Sequence, residues 1–152
     1  MKNIEKIVTS NPENVVVVDE AYVDFGGESA VQLTKKYDNL VVIQTFSKSR
    51  SLAGARLGFA IACPALIQDL NTIRYSTNPY NINRMTMLAG VGALIDNEYF
   101  LENCAKIKET RAWTAETLRS MGFYVSDSSS NFIFIKHESA GGKDLYLSLK
   151  EK

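Results

Sequence analysis

The chain has 152 residues, 45% of them hydrophobic and 22% charged, with 17 basic and 17 acidic side chains. That is the length of about one domain and the balance of an ordinary globular protein. Without a basic surplus, net charge excludes bulk attraction to nucleic acid or to an anionic membrane, so neither is expected as a partner.

The first residues, MKNIEKIVTSNPEN, lack the apolar stretch of a secretory signal. Residues 1–9 read as the tail of a helix. Val15 to Val18 are four consecutive valines between Asn14 and Asp19. An unalternating β-branched run predicts a parallel strand buried on both faces. Gly26-Gly27 predicts a loop, and Ser29 caps an expected helix from about Ala30 to Tyr37. Asp38-Asn39 turn the chain into a second strand, Leu40 to Thr45. Strand, helix and strand in this span form a βαβ unit, so the two strands are expected to be parallel. Leu57 to Ala62 is a third strand. Its connection is too short for a helical crossover, so it is expected to run antiparallel.

Pro64 suits the first turn of a helix over about 64–73, and STNPYN (76–81) is a loop. The apolar run LGFAIACPALI is too short to span a bilayer. Helices are expected at about 82–95 and 98–121, the last ended by Gly122. Phe123 to Val125 and Phe132 to Ile135 are short strands around the turn DSSSN. Gly141-Gly142 precede a final helix. Cys63 and Cys104 have no CxxC spacing and are expected to be free thiols in a reducing, cytoplasmic setting. His137 has no ligand cluster around it and reads as a surface residue, so no metal is expected. Trp113 reads as packing. Tyr75, Tyr80 and Tyr99 read as loop or interface aromatics.

In open α/β sheets, ligands bind beyond the carboxyl ends of the strands. The first strand ends in Asp19-Glu20-Ala21-Tyr22 and the second in Thr45-Phe46-Ser47-Lys48. Neighbouring parallel strands would bring Asp19 and Lys48 to one edge. Singly, an aspartate after a strand is a loop hydrogen-bonder or cap, and a lysine there is solvated. Together, a carboxylate, a phenol, hydroxyls, a lysine and Arg56 converge. Thr45, Ser47 and Arg56 suit a phosphate. A lysine adds to an aldehyde only as the neutral amine, and its reference pKa is about 10.4. Partial burial and the neighbouring Arg56 would push that down. A carboxylate suits a protonated ring nitrogen and a phenol suits a ring hydroxyl. An aldehyde, a phosphate, a pyridine nitrogen and a ring hydroxyl describe pyridoxal 5′-phosphate, an electron sink that a protein orients.

VVVVDEAYVDF, TFSKSRSLAGARLGF, NPYNIN and SSSNFIFI resemble the histidinol-phosphate aminotransferase family of fold-type I pyridoxal-phosphate enzymes. The resemblance implies that Lys48 is the catalytic lysine, holding the cofactor aldehyde and moving the proton. It implies that Asp19 partners the ring nitrogen and Tyr22 the ring hydroxyl, with Thr45, Ser47 and Arg56 on the phosphate. It implies amino transfer between an amino-acid-like phosphate, histidinol phosphate, and 2-oxoglutarate or glutamate, in a homo-oligomer. The implied fold is α/β: a partial large-domain sheet of two parallel strands plus one antiparallel, with part of a smaller α+β domain. The expected divisions are residues 1–96 for the large domain, 97–121 for a connecting helix and 122–152 for the small domain. The family's N-terminal phosphate-binding amides, ring-stacking aromatic and asparagine have no counterpart here. Nor has its C-terminal carboxylate-binding arginine, since Arg74, Arg84, Arg111 and Arg119 stand elsewhere in the pattern. The chain therefore reads as a fragment, expected to be inactive alone. The alternatives are a non-catalytic α/β remnant or assembly module, and a pyridoxal-phosphate decarboxylase or lyase acting on threonine phosphate.

Overall fold

The computed structural model describes residues 1–152. Three strands form one sheet: β1 (Val16–Asp19), β2 (Leu40–Thr45) and β3 (Gly58–Ile61), in that order. β1 and β2 are parallel, with Val16 opposite Leu40 and Asp19 opposite Ile43. β3 is antiparallel to β2, with Thr45 opposite Gly58. The parallel pair and the antiparallel third strand are as the sequence predicts. The β2–β3 connection turns back through one 3-10 turn at Ala53–Ala55 rather than crossing over.

Side chains alternate across a strand, and the two faces of this sheet are unequally covered. Val16, Val18, Leu40 and Val42 pack under helix α1 (Lys2–Thr9) and the 3-10 turn at Ala30–Lys35, with Val8 and Ala30 completing the core. The expected burial of β1 on both faces does not occur. Val15 is 53% and Val17 58% exposed, because cover on the second face reaches Val41 of the central strand, 5% exposed, but not the edge strand β1. The helix expected over residues 30–37 is likewise only this 3-10 turn, with Ser29 Oγ accepting from the Val31 amide at 3.2 Å. β-branched Val31 and Thr34 weaken helix propagation. Beyond it, Lys36 and Tyr37 are drawn to α1: Lys36 Nζ and the Tyr37 hydroxyl donate to Glu5 Oε1 at 2.6 and 2.7 Å. The Lys36 ammonium first, then the Tyr37 hydroxyl, hold the Glu5 carboxyl below the usual carboxylate range.

At Gly58 the two strands approach so closely that a Cβ would lie 2.9 Å from the Gln44 carbonyl oxygen. Backbone cannot yield there without opening the ladder. Gly58→Ala is expected to cost about 1–3 kcal/mol, the range for overpacking, read as a lower urea midpoint. An unchanged midpoint would mean that the strands separate freely at this point.

Helix α2 (Pro64–Thr77) starts on Pro64 and runs a turn further than predicted. α3 (Arg84–Ile95) is capped by Asn83 Oδ1 accepting from the Thr86 amide at 2.9 Å. α4 (Asn97–Ser120) is capped by Asp96 Oδ1 accepting from the Tyr99 amide at 3.2 Å. It ends at Gly122, whose φ of +88° favours glycine. β4 (Tyr124–Val125) pairs antiparallel with β5 (Ile135–Lys136), and α5 (Gly142–Lys150) follows. The strand expected over Phe132–Ile135 survives only at its end. The hydroxyls of Ser128 and Ser130 donate to the Phe132 carbonyl at 2.6 and 3.0 Å, engaging a group a strand ladder would use. Trp113 is 66% exposed rather than packed. His137 is half-buried, its ring centroid 4.8 Å from that of Phe123, rather than free on the surface. Both cysteines are free. No helix is long and apolar enough to cross a membrane.

Candidate functional site

The carboxyl ends of β1 and β2 open into a cavity of about 300 Å³ lined by Asp19, Ala21, Ile43, Gln44, Thr45, Ser47, Lys48 and Arg56. Five of the six sequence-predicted site residues meet there. The sixth, Tyr22, is not in the cavity wall, but its ring lies beside Lys48, with Nζ 5.4 Å from the ring centroid. Phe132 packs edge-on against the same ring, the two centroids 5.3 Å apart.

Asp19 closes β1 on the face opposite the core. Its Oδ1 accepts from the Ala21 amide at 3.0 Å, an Asx turn that fixes the side chain and leaves Oδ2 without a partner in the chain. The loop that carries Lys48 is pinned at its base. The Phe46 amide donates to the Leu57 carbonyl, and the Leu52 amide to the Phe46 carbonyl, each at 3.0 Å. Lys48 and Asp19 are both exposed, so the partial burial expected of Lys48 is absent from this chain. For Asp19 the physical reason is the one seen for Val17, the bare second face of the edge strand β1.

Thr45 is committed within the loop: its hydroxyl donates to the Leu57 carbonyl at 3.3 Å while its oxygen accepts from the Ser47 amide at 3.1 Å. It therefore shapes the loop as much as it lines the cavity. Arg56 sits in the left-handed region at φ +52° and uses Nη1 on the Ala53 carbonyl at 3.1 Å. Its remaining N–H groups, and the Ser47 hydroxyl, are free for an anion. The donor set thus comprises a carboxylate oxygen, an amine, a hydroxyl and a guanidinium. It suits a ligand with a cationic N–H, a carbonyl carbon and a phosphate.

Four supporting residues escape the sequence reading. Glu20, beside Asp19, is buried and accepts from Ser29, Ala30 and Gln44. Ser49, next to Lys48, is buried and donates to Asp24. Arg50 donates to the Ala93 carbonyl at 2.5 Å and places its guanidinium 3.9 Å from the Phe100 ring centroid, tying the lysine loop to α3 and α4. Arg111 donates to the carbonyls of Phe25 and Ser130 at 2.9 and 2.5 Å, joining the segment after Tyr22 to the serine turn. Their partners stand 19 to 86 residues away for Arg111 and 43 for Arg50, so no local spacing marks them. Cys104, buried close by, has its thiol pushed up by burial and then by the Asp24 charge.

The family model described as aminotransferase class I and II matches residues 1–152. A curated histidinol-phosphate aminotransferase of Brachyspira hyodysenteriae is 54% identical over 153 residues, which cover 100% of this chain and 43% of that protein. The fold is similar to the crystal structure of the histidinol-phosphate aminotransferase from Clostridium acetobutylicum, with a TM-score of 0.88 and 29% identity over 99% of this chain and 46% of that one. It is also similar to the histidinol-phosphate aminotransferase from Sinorhizobium meliloti, solved in complex with pyridoxal-5′-phosphate. There the TM-score is 0.77 at 26% identity, over 90% of this chain and 38% of that one. The chain spans less than half the length of each of these relatives.

Proposed function

The chain belongs to the aminotransferase class I and II family, and from that membership we propose that it supplies the lysine-bearing part of a pyridoxal-phosphate site. The single observation that carries the reading is the cavity that gathers Asp19, Thr45, Ser47, Lys48 and Arg56 at the ends of two parallel strands. The residues present fit the group. Asp19 Oδ2 is unpartnered, the hydroxyl of Ser47 and the outer N–H groups of Arg56 are free, and an exposed amine stands among them.

When bound, pyridoxal phosphate supplies an electron sink for the pair left on a substrate carbon that loses a proton. Asp19 would hold the ring N–H cationic through Oδ2, keeping that sink electron-poor. Tyr22, beside Lys48, would donate to the ring hydroxyl oxygen. Ser47 and Arg56, on the frame set by Thr45, would bind the phosphate by charge-assisted hydrogen bonds. Lys48 Nζ would hold the cofactor at its aldehyde carbon and, as the free amine, take up and return the substrate proton.

The substrate pair of the complete enzyme would be histidinol phosphate, a reading supported by the name of the 54%-identical relative, with 2-oxoglutarate or glutamate, which rests on the sequence resemblance alone. Residues 1–96 would be the large-domain share, 97–121 the connecting helix and 122–152 the small-domain share. The chain alone would bind rather than turn over, and would act within a homo-oligomer.

The test is to mix the chain with pyridoxal phosphate, reduce with borohydride, and map the modified peptides by mass. One equivalent on Lys48 is expected. Modification spread over the other lysines, or none at all, overturns the reading.

A further inference from the structure

We infer that Glu20 is a positioning residue whose buried carboxylate aims Asp19 and holds the end of β1 against the strand that leads to Lys48. The inference rests on the cofactor site proposed above. Glu20 is the residue after β1, and its amide donates to the Ile43 carbonyl at 2.9 Å, extending the parallel pairing one step beyond Asp19. Side chains alternate along a strand, so Asp19 faces the open side and the cavity while Glu20 faces the covered side.

There Glu20 is 7% exposed. Its Oε1 accepts from the Ala30 amide at 2.5 Å, and its Oε2 accepts from Ser29 Oγ at 2.7 Å and Gln44 Nε2 at 2.9 Å. One carboxylate thus joins the end of β1, the 3-10 turn at Ala30–Lys35 and the cavity end of β2. All three donors are neutral, so the anion is held by oriented dipoles and no counter-charge competes for it.

The consequence for the site is geometric. Gln44 immediately precedes Thr45 and itself lines the cavity. On the other strand, Asp19 keeps its direction through the Ala21 amide, one residue beyond Glu20. β1 pairs with β2 alone, so directly past Asp19 the Glu20 backbone and side chain hold its end to β2, and the next tethers to the rest of the chain lie further on, at Tyr22, Asp24 and Phe25. Freed of the side-chain anchor, the turn that aims Asp19 would open, although Glu20 touches no ligand.

The experiment compares the wild-type chain with Glu20→Gln, with Gln44→Ala, and with the exchange pair Glu20→Gln/Gln44→Glu. Amide hydrogen exchange is measured without cofactor, and pyridoxal phosphate is titrated separately. In Glu20→Gln, the Ala21 and Ala30 amides are expected to exchange about tenfold faster or more, the cost of one lost charge-assisted bond. Val41 and Val42 should keep their protection, and pyridoxal phosphate should bind about tenfold more weakly by the same measure. Gln44→Ala should do the same to a smaller degree, and the exchange pair should restore part of both effects.

Unchanged Ala21 exchange in Glu20→Gln would overturn the inference. So would protection lost equally at Val41 and Val42 in both Glu20→Gln and Gln44→Ala, which would make the network a general support of the fold. If the wild-type chain takes up no pyridoxal phosphate, the proposed function fails, while the exchange rates still decide the role of Glu20.

Discussion

Lys48→Ala is expected to leave no borohydride-stable pyridoxal phosphate on the chain, and Lys48→Arg is expected to behave the same way. The pair of variants separates two roles. Were Lys48 only a cation beside a phosphate, arginine would replace it and bind the anion at least as well. Were it the amine that holds the aldehyde carbon, arginine would fail, because a guanidinium stays protonated and offers no lone pair. The fold should be indifferent to both changes, since Lys48 is exposed and its Nζ stands 5.4 Å from the Tyr22 ring centroid without a hydrogen bond to the chain. Exposed substitutions of this kind usually stay within about 0.5 kcal/mol. Reversible binding through Ser47 and Arg56 should persist in both variants as a weak, reduction-insensitive component. Removing Arg56 as well should take that away, since a hydrogen bond to a charged group is worth about 1.5–3 kcal/mol. Wild-type levels of trapped cofactor in Lys48→Arg would dismiss Lys48 as the covalent residue.

Much of this site was legible because it depends on strand ends. Two apolar runs, one short connection and the polar residues that follow each run were enough to bring Asp19 and Lys48 to one edge and to orient β3. What stayed hidden depends on partners far away in sequence. Glu20 reads as one more loop acid after a strand, and becomes a buried anchor only because Ser29, Ala30 and Gln44 arrive around it. Arg50 reads as a surface cation until α3 and α4 supply the Ala93 carbonyl and the Phe100 ring. The four valines failed in a different way. An unalternating run records a strand suited to two covered faces, and here the second face is covered at Val41 of β2 but not at Val17 of β1. Phe132 to Ile135 failed locally, where serine hydroxyls compete for a strand carbonyl.

The isolated chain is expected to self-associate, and its surface is the reason. A folded monomer of this size exposes about 7,700 Å², whereas this chain exposes 10986 Å² and buries 14 of its 152 residues. The difference of roughly 3,300 Å² falls in the range that obligate partners bury together. The exposed apolar groups are also concentrated. Met85, Leu88, Val91, Leu94 and Ile95 of α3 are each more than half exposed, on a helix whose only charge is Arg84. A helix apolar all round is ordinarily a buried one. With 17 charges of each sign, no net repulsion keeps the molecules apart. Sedimentation velocity at micromolar concentration should therefore show species larger than the monomer, little altered by salt because apolar contact drives the association. Leu88→Glu combined with Val91→Glu should shift the distribution towards monomer while leaving the capture of pyridoxal phosphate on Lys48 intact, since neither residue lines that cavity. A single monomeric boundary for the unaltered chain, with no binding of an apolar dye, would show that these surfaces are tolerated in water and that the chain closes on itself.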